Sequence, residues 1–204
     1  MKVKLFPSYG FSANCYALEI GNEAALIDVG EVTPEILEYV SEKGESLKYV
    51  LLTHNHFDHI GGVDRVLELS DAKLAIHAED GKNLTNPSYN LTSRVGLSNP
   101  ALRVDIMLKD DDEILLGGET IRVIHTPGHT LGGVCYVVGD VIFSGDTLFA
   151  GTVGRTDFVG GDMDTLLRSL KKLSELEGDY VVYPGHEEAT TLSREINTNP
   201  YFRM

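Results

Sequence analysis

The sequence is poor in basic residues and has no long apolar segment. Its 204 residues include 17 lysines and arginines against 31 aspartates and glutamates, a formal net charge of −14. Because nucleic-acid binding needs a positively charged surface, this balance argues against a nucleic-acid partner. No segment approaches the ~18 consecutive apolar residues of a membrane-spanning helix, so we expect no membrane association. The amino-terminal residues are too short in apolar length for a signal peptide.

Cysteine is also scarce. Cys15 and Cys135 each lie in an apolar, strand-like segment. This setting favours two small buried thiols over a disulfide bond. Without a signal peptide, the pattern predicts a soluble protein in the reducing cytoplasm.

The order of the predicted elements indicates one domain over residues 1–204, without repeats, low-complexity segments or linkers. Alternating apolar patterns bounded by turn residues predict short β-strands, and helical spacing with capping residues predicts helices between them. Predicted strands cover 14–20, 23–29, 47–52, 73–77, 113–116, 120–125, 134–138, 141–144 and 179–183. Predicted helices cover 33–43, 63–69, 162–176 and 189–197.

Residues 78–109 lack a clear period and are rich in Asn, Ser, Pro and Leu. An irregular segment of this length inside a domain is usually functional or disordered. Its apolar residues argue against disorder. We therefore expect a partly helical flap near the functional site.

The most informative segment follows the apolar run at 49–52. It places three imidazoles and a carboxylate within six positions, at His54, His56, Asp58 and His59. A single helix would point these groups in different directions, whereas a strand that turns into a helix lets them converge. All four are groups that bind divalent metals, so the segment predicts a metal site.

Three later strands end in the same way. Each apolar strand stops at small residues or proline and then presents one further candidate ligand, at His129, Asp146 and His186. Strand ends can open at one edge of a sandwich, so these three loops can meet the first one. His77 and His125 also end strands but match no ligand position, and we expect them to be hydrogen-bonded structural histidines.

Together these motifs resemble the metallo-β-lactamase-fold hydrolases, and within them the glyoxalase II-like branch. The matching segments are His54-x-His56-x-Asp58-His59, Gly128-His129-Thr130, Ser144-Gly145-Asp146-Thr147 and Pro184-Gly185-His186, with Asp28 at a further family position. The resemblance spans essentially the whole chain. It implies an α/β fold, a four-layer αββα sandwich of two mixed β-sheets with the site at one edge.

The resemblance also implies two divalent metal ions, most often zinc, with iron or manganese as alternatives. One ion would be held by His54, His56 and His129, and the other by Asp58, His59 and His186. Asp146 and a hydroxide would bridge them, and Asp28 would orient a histidine by accepting its other ring proton. Asp58 and Asp146 are accordingly the candidate catalytic carboxylates.

The expected reaction is hydrolysis of a small acyl thioester of the hydroxyacylglutathione type, by attack of the bridging hydroxide. Arg155 stands where glyoxalase II has a basic residue that contacts the carboxylate of glutathione. Two nearby aromatic contacts of that family are replaced by Asp157 and Glu188, which disfavours a glutathione tripeptide with its own carboxylates. The chain ends soon after His186, so we also expect it to lack the family's carboxyl-terminal helical domain.

Two alternatives stay open at this point. The segment 154–158 resembles the turn of persulfide dioxygenases, which bind one iron at positions matching His54, His129 and Asp146. A metal-binding scaffold without catalysis is the non-enzymatic alternative, although no ligand is missing. The native metal, the acyl and leaving groups and the oligomeric state are not determined by the sequence.

Overall fold

Two six-stranded mixed β-sheets form the centre of the fold in residues 1–7 and 10–204, which the computed structural model describes. The first sheet has strand order β1-β2-β3-β4-β5-β6, and the second has the order β14-β13-β10-β9-β8-β7. A separate pair joins β11 to β12. The strands are β1 Lys2–Phe6, β2 Cys15–Ile20, β3 Glu23–Ile27, β4 Leu47–Leu51, β5 Lys73–His77, β6 Ile106–Leu108, β7 Glu113–Leu116, β8 Glu119–His125, β9 Val134–Val138, β10 Val141–Gly145, β11 Leu148–Phe149, β12 Thr152–Val153, β13 Val181–Pro184 and β14 Thr190–Thr191.

The helices lie between and after the strands. Long connections carry α1, α3 and α6, whereas α2, α4 and α5 are single turns. Thr33 caps α1 through its side chain, and Asp162 caps α6 in the same way. The helices are α1 Pro34–Lys43, α2 Phe57–Ile60, α3 Val63–Glu68, α4 Ala78–Gly81, α5 Thr92–Val95, α6 Met163–Ser174 and α7 Leu192–Thr198.

Three apolar interfaces stack these elements into four layers. The outer face of the first sheet packs on α1 and α3, with Val40 and Val66 fully buried. The inner faces of the two sheets meet in a second cluster that contains Leu18 and Phe143. The outer face of the second sheet packs on α6 and α7 through residues such as Leu170. This arrangement confirms the predicted αββα sandwich.

Most strands lie where the apolar patterns predicted them. The hairpin at Gly21 and Asn22 forms with Ile20 opposite Glu23, and Gly21 has a positive φ of 55°. Such two-residue turns match the twist of the strands they join. Cys15 and Cys135 are both free and buried, as predicted.

Several elements differ from the predictions, and three of these differences add a strand to one of the two six-stranded sheets. Ile106–Leu108 pairs with β5 as the sixth strand of the first sheet, so the end of the irregular segment belongs to the sheet. The last helix begins at Leu192 rather than at residue 189, because Thr190 and Thr191 first pair with β13. The first strand, Lys2–Phe6, was not predicted, since only one of its five side chains is fully buried. Short edge strands with exposed faces carry little apolar pattern.

Within the described ranges, no helix combines the length and the apolar character that crossing a bilayer requires.

Candidate metal centre

The candidate ligands lie at one edge of the sandwich because the strands that precede them end there. β3 and β4 run parallel in the first sheet, and they lead into Asp28 and His54. β10 and β13 run parallel in the second sheet, and they lead into Asp146 and His186. Parallel strands present their carboxyl ends at the same edge, so four loops from two sheets meet.

The loop after β4 changes from extended to helical backbone within the candidate ligands. His56 has an extended conformation with ψ 148°, and α2 starts at the next residue. His54 and His56 therefore leave the chain before the turn, and Asp58 and His59 leave it from the helix. This change lets the four side chains converge, as the spacing predicted, and it divides them between two neighbouring positions, as the family resemblance implied.

The first position is lined by three imidazoles. His56 Nδ1 lies 3.1 Å from His54 Nε2 and 2.9 Å from His129 Nε2. Zinc binds imidazole nitrogen at about 2.0–2.1 Å, which in a tetrahedral site puts two such nitrogens roughly 3.3 Å apart. The three rings, which are all buried, thus converge at close to the spacing of a metal site.

The second position combines a carboxylate and two imidazoles. Asp58 Oδ2 lies 3.2 Å from His186 Nε2 and 4.0 Å from His59 Nε2. Asp146 stands between the two positions. Its Oδ1 is 3.3 Å from His59 Nε2, and its Oδ2 is 3.4 Å from His129 Nε2 and 3.8 Å from His186 Nε2. The structure thus brings all seven predicted ligands together in the predicted groups.

Three buried polar atoms in this cluster have no hydrogen-bond partner among the described residues: His56 Nε2, His59 Nε2 and Asp146 Oδ1. His59 Nε2 and Asp146 Oδ1 are close but not aligned as a hydrogen bond. A buried polar atom without a partner costs about 1–3 kcal/mol, so native proteins rarely contain several together. Two of these atoms face the space between the imidazoles and carboxylates, so the site fits divalent metal ions.

The protonation states of His54, His56 and the two carboxylates suit metal binding. His59 and His186 differ: burial lowers the pKa of both, but Asp28 beside His59 and Asp58 beside His186 outweigh it and raise both pKa values in the metal-free protein. Burial lowers the pKa of His56 to about 3, with neighbouring His129 adding to the effect, and burial likewise lowers the pKa of His54. Burial alone would raise the pKa of Asp146, but His59 and further imidazoles hold it well below its usual value. Burial opposes ionisation of Asp58 too, yet the bond from His186 lowers its pKa. Neutral imidazoles and ionised carboxylates are the forms that bind metals.

Asp28 lies behind this cluster. Its Oδ2 is 2.8 Å from His59 Nδ1 and accepts a 2.7 Å bond from Thr53 Oγ1, and its Oδ1 accepts the Thr53 backbone N–H. Because a carboxylate only accepts, the His59 proton sits on Nδ1 and leaves Nε2 facing the cluster. Thr53 Oγ1 in turn lies 3.1 Å from His54 Nδ1, so one carboxylate orients two candidate ligands.

Asp80 is a buried residue that the sequence interpretation missed. It accepts bonds from Thr130 Oγ1 at 2.7 Å, from Gly132 N at 2.6 Å and from Asn55 N at 3.2 Å. It thereby joins the loop of His54 and His56 to the loop of His129. Burial raises its pKa to about 6 against these stabilising bonds. The usable signal was its position, since Asp80 follows β5 at the same sheet edge as the candidate ligands.

Asn14 and Tyr16 were missed as well. Tyr16 Oη donates a 2.7 Å bond to the carbonyl of Pro184, and Asn14 Nδ2 donates to the carbonyls of Pro184 and Glu187. These bonds fasten the His186 loop to β2 of the other sheet. An isolated Asn or Tyr in an apolar strand gives no sequence signal for such a role.

Glycine is required where two loops approach the cluster. A Cβ at Gly185 would lie 2.4 Å from Asp146 Oδ1 and 2.6 Å from His59 Cε1. A Cβ at Gly154 would lie 1.9 Å from the Asp146 carbonyl oxygen. Both distances are shorter than van der Waals contact, so neither position can accept a side chain without moving the ligands.

A cavity of about 430 Å³ opens onto the cluster. His56, Asp58, Asp146 and His186 form its floor. Its walls are largely apolar, and the irregular segment contributes residues around α5. This volume and lining are typical of a site for a small molecule.

Arg155 lines the same cavity, but its guanidinium makes two bonds of 2.7 and 2.6 Å to Asp157. Its backbone carbonyl accepts a 2.7 Å bond from His129 Nδ1, which directs His129 Nε2 to the cluster. Glu188, the other acid that replaces an aromatic residue, is exposed. Arg155, the predicted substrate contact, is thus paired with Asp157 of the same turn.

His77 and His125 lie outside the cluster and stack on each other, with ring centroids 3.9 Å apart. His77 Nδ1 accepts the backbone N–H of Glu79, and His125 Nε2 lies 3.0 Å from the carbonyl of Leu131. Both are therefore hydrogen-bonded structural histidines, as predicted.

Comparisons with known proteins agree with this fold and site. Residues 8–186 match the family described as the Metallo-beta-lactamase superfamily. The "Probable metallo-hydrolase YqgX" of Bacillus subtilis is 36% identical over 98% of this chain and 97% of its own length. The "Hydroxyacylglutathione hydrolase GloC" of Haemophilus influenzae is 33% identical over 98% of both proteins.

Solved structures give the same result. The B3 metallo-beta-lactamase BLEG-1 is similar with a TM-score of 0.91 and 33% identity, covering all of both chains. The protein TTHA1623, solved in a di-iron-bound form, has a TM-score of 0.85 and 35% identity over 97% of this chain and 99% of its own.

The chain belongs to the metallo-β-lactamase superfamily. Proteins of this superfamily bind divalent metals, and the histidine-rich cluster lies where the fold places such ions. Family and site together support a metal-dependent hydrolase.

Proposed function

We propose that the protein hydrolyses small acyl thioesters at a centre of two divalent metal ions. The observation that carries the proposal is the pair of three-residue groups, His54 with His56 and His129, and Asp58 with His59 and His186, joined by Asp146. The name of the GloC relative supports the thioester, because a hydroxyacylglutathione is a thioester. The substrate cavity fits a small molecule rather than a polymer.

Zinc is the proposed metal for both positions, and the di-iron form of TTHA1623 supports iron as the alternative. When bound, such ions acidify a water molecule and polarise the carbonyl of the substrate. The chain's own part is to present ionised carboxylates together with imidazoles whose tautomers are fixed. Asp28 and the Arg155 carbonyl fix the tautomers of His59 and His129 by accepting a bond from Nδ1 of each ring.

The reaction adds the oxygen of water to the carbonyl carbon, breaks the carbon–sulfur bond and releases a carboxylate and a thiol. Asp58 and Asp146 line the cavity floor as carboxylates, so both are placed to accept a proton from water there. A thiol has a pKa near 8.5, so its thiolate leaves without a dedicated acid.

The proposal is tested with purified protein loaded with zinc, iron or manganese. We expect hydrolysis of S-lactoylglutathione or of a simpler activated thioester, followed by release of the free thiol. Asp146→Asn is expected to lose nearly all of this activity, because it removes the carboxylate between the two groups. Failure of every metal form to hydrolyse thioesters, esters and lactones would refute the proposal.

A persulfide dioxygenase with one iron is the enzymatic alternative. It would use His54, His129 and Asp146, and would leave the Asp58, His59 and His186 group without a function. Oxygen uptake with glutathione persulfide, together with one iron per chain, would favour that alternative.

The proposed compartment is the cytoplasm. The two free, buried cysteines support it, because secreted proteins more often pair their cysteines.

A further inference from the structure

The cavity wall above the metal cluster is apolar except for two arginines. Phe57, Phe149 and Phe158 contribute aromatic surface, and Leu91 and Val95 from the irregular segment add aliphatic surface. Among the described residues, Arg94, on α5, and Arg155 are the two arginines that line this cavity. Two cations in an apolar wall of a strongly acidic protein need an explanation.

The two arginines share one aromatic platform. The guanidinium carbons of Arg155 and Arg94 lie 4.0 and 5.0 Å from the centre of the Phe158 ring. The Phe158 ring lies 5.9 Å from the His56 ring, at 90° to it. One aromatic ring therefore separates each guanidinium from a candidate metal ligand.

The charge of Arg155 is already compensated. Both oxygens of Asp157 accept a bond from its guanidinium, the two-pronged geometry that suits arginine and carboxylate. The Arg155 carbonyl meanwhile fixes His129. Arg155 is thus a part of the turn that builds the site, and two of its five N–H donors, on Nε and Nη2, bind Asp157.

Arg94 has no such partner. Among the residues that the structure describes, no carboxylate lies within ion-pair distance of its guanidinium, and Asp157 acts on it only through space. Its side chain is exposed and rests on the Phe158 ring. Stacking holds the plane of a guanidinium while its N–H groups remain available. The cavity wall therefore carries one uncompensated positive charge.

We infer that Arg94 is the residue that selects the substrate, by binding a carboxylate of the thioester at the outer wall of the cavity. This inference rests on the proposed thioesterase function and adds the substrate class, an anionic thioester with an apolar segment between the carboxylate and the reacting carbonyl. The Phe158 ring and the aliphatic residues around α5 contact that segment. The irregular segment thereby supplies specificity, and the strand ends supply the chemistry.

The test compares matched probes that differ only in charge. S-acetyl mercaptoalkanoates of increasing chain length carry the carboxylate on the thiol side, and ethyl monothioesters of dicarboxylic acids carry it on the acyl side. The control for each is the neutral amide of equal length. For wild-type protein we expect a lower KM for one carboxylate series than for its amides, and that series shows which side of the substrate faces Arg94.

The variant Arg94→Met is expected to raise KM for the preferred carboxylate probe by about ten- to a hundredfold, the value of a charge-assisted bond, with kcat changed little. KM for the amide should change less than about twofold. Arg94→Lys keeps the charge but not the two-pronged geometry, so it should restore part of the preference.

Two control variants come from the chain itself. Arg155→Met combined with Asp157→Asn removes the neighbouring pair without freeing an acid for Arg94, and it should keep the carboxylate preference. Arg65→Met removes an exposed arginine of α3 outside the cavity, and it reports the effect of net charge alone. The inference would be overturned if the double variant lost the preference for carboxylate over amide probes while Arg94→Met kept it.

Binding separates this inference from the proposed function. Thioether analogues of the same probes cannot be hydrolysed, and calorimetry measures their affinity for the metal-loaded protein. Weaker binding of the carboxylate analogue to Arg94→Met supports the inference even if no thioester is turned over. Equal binding of the carboxylate and the amide by wild-type protein overturns it, whatever the catalytic result.

Discussion

At the scale of single residues, the candidate centre depends on which nitrogen of each histidine carries its proton. His59, His54 and His129 each have Nδ1 close to an oxygen atom, from Asp28, Thr53 and the Arg155 carbonyl. These contacts leave Nε2 of all three rings directed at the cluster. Metal-binding histidines commonly have an acceptor of this kind, and its loss costs metal affinity.

We predict that Asp28→Asn weakens metal binding by about 10- to 100-fold while the protein remains folded. The Asn amide nitrogen would donate to His59 Nδ1, so the ring proton would move to Nε2 and block the cluster. Asn also tolerates the positive φ of 52° at this position. Competition with a chromophoric chelator measures the affinity, and circular dichroism checks the fold. Unchanged affinity for both ions would show that Asp28 does not set the tautomer.

At the scale of elements, the site is held by contacts between loops that are far apart in sequence. Asp80, at the start of the irregular segment, joins the loop after β4 to the loop after β8. Tyr16, in β2, holds the loop after β13. The metal cluster is therefore the meeting point of loops whose relative positions are set by buried hydrogen bonds.

We expect Asp80→Asn to lower the free energy of unfolding by about 1–3 kcal/mol, because the amide group must face an N–H or hydroxyl donor that now lacks an acceptor. Metal affinity should fall at the three-histidine group, whose two loops Asp80 connects. Urea denaturation and metal titration measure the two effects. Asp71→Asn, exposed before the opposite end of β5, is the matched control and should change neither. Normal metal affinity in Asp80→Asn would contradict this role.

The stacked pair of His77 and His125 links β5 of one sheet to β8 of the other. Burial is the main cause that lowers the pKa of His77 to about 4, and the neighbouring His125 adds to it. The unfolded chain, with a histidine pKa near 6.5, binds more protons than the folded protein between these values. Stability from His77 is therefore complete above about pH 6.5 and is lost as the pH falls toward 4.

His77→Asn tests this linkage, because Asn does not titrate and can still cap α4. In metal-free protein, the stability difference between wild type and variant should shrink by on the order of 2 kcal/mol from pH 7 to pH 4. Urea denaturation at several pH values measures it. If the stability difference between wild type and variant stays constant with pH, the protonation of His77 does not contribute to the pH dependence of stability.

At the scale of the whole molecule, the two sheets pack through their inner faces, and the loops that carry the candidate ligands join them at one edge. Metal ions bind the folded cluster and not the separated loops, so they should stabilise the entire sandwich. At a metal concentration about a thousandfold above Kd, we expect chelation to lower Tm by roughly 10 °C. Differential scanning calorimetry with and without chelator measures the shift, and added zinc should reverse it. No shift in Tm would argue against metal binding at this cluster.

Much of this molecule follows from local sequence patterns. The pattern at the strand ends predicted four of the candidate ligands, because each of them follows an apolar run and small residues. They are His54, His129, Asp146 and His186. Asp80 did not stand out, since its bonds reach Asn55 and Thr130, 25 and 50 residues away.

The substrate side was harder to predict for the same reason. Arg155 matched a family position, yet Asp157, only two residues away, occupies its guanidinium. Arg94 lies in the segment 78–109, whose apolar residues show no helix or strand periodicity. It lines the cavity, where its guanidinium stacks on Phe158. Contacts between an irregular segment and a distant turn are set by the assembled fold, and no local pattern encodes them.

Metal content measured on an active preparation tests most directly whether the protein is a hydrolase with two metal ions. Elemental analysis and a thioester assay on the same purified protein should give two divalent ions per chain, with thiol release that disappears on chelation and returns with added metal. One iron per chain, with no thioester hydrolysis and with oxygen uptake on a persulfide, would contradict the account.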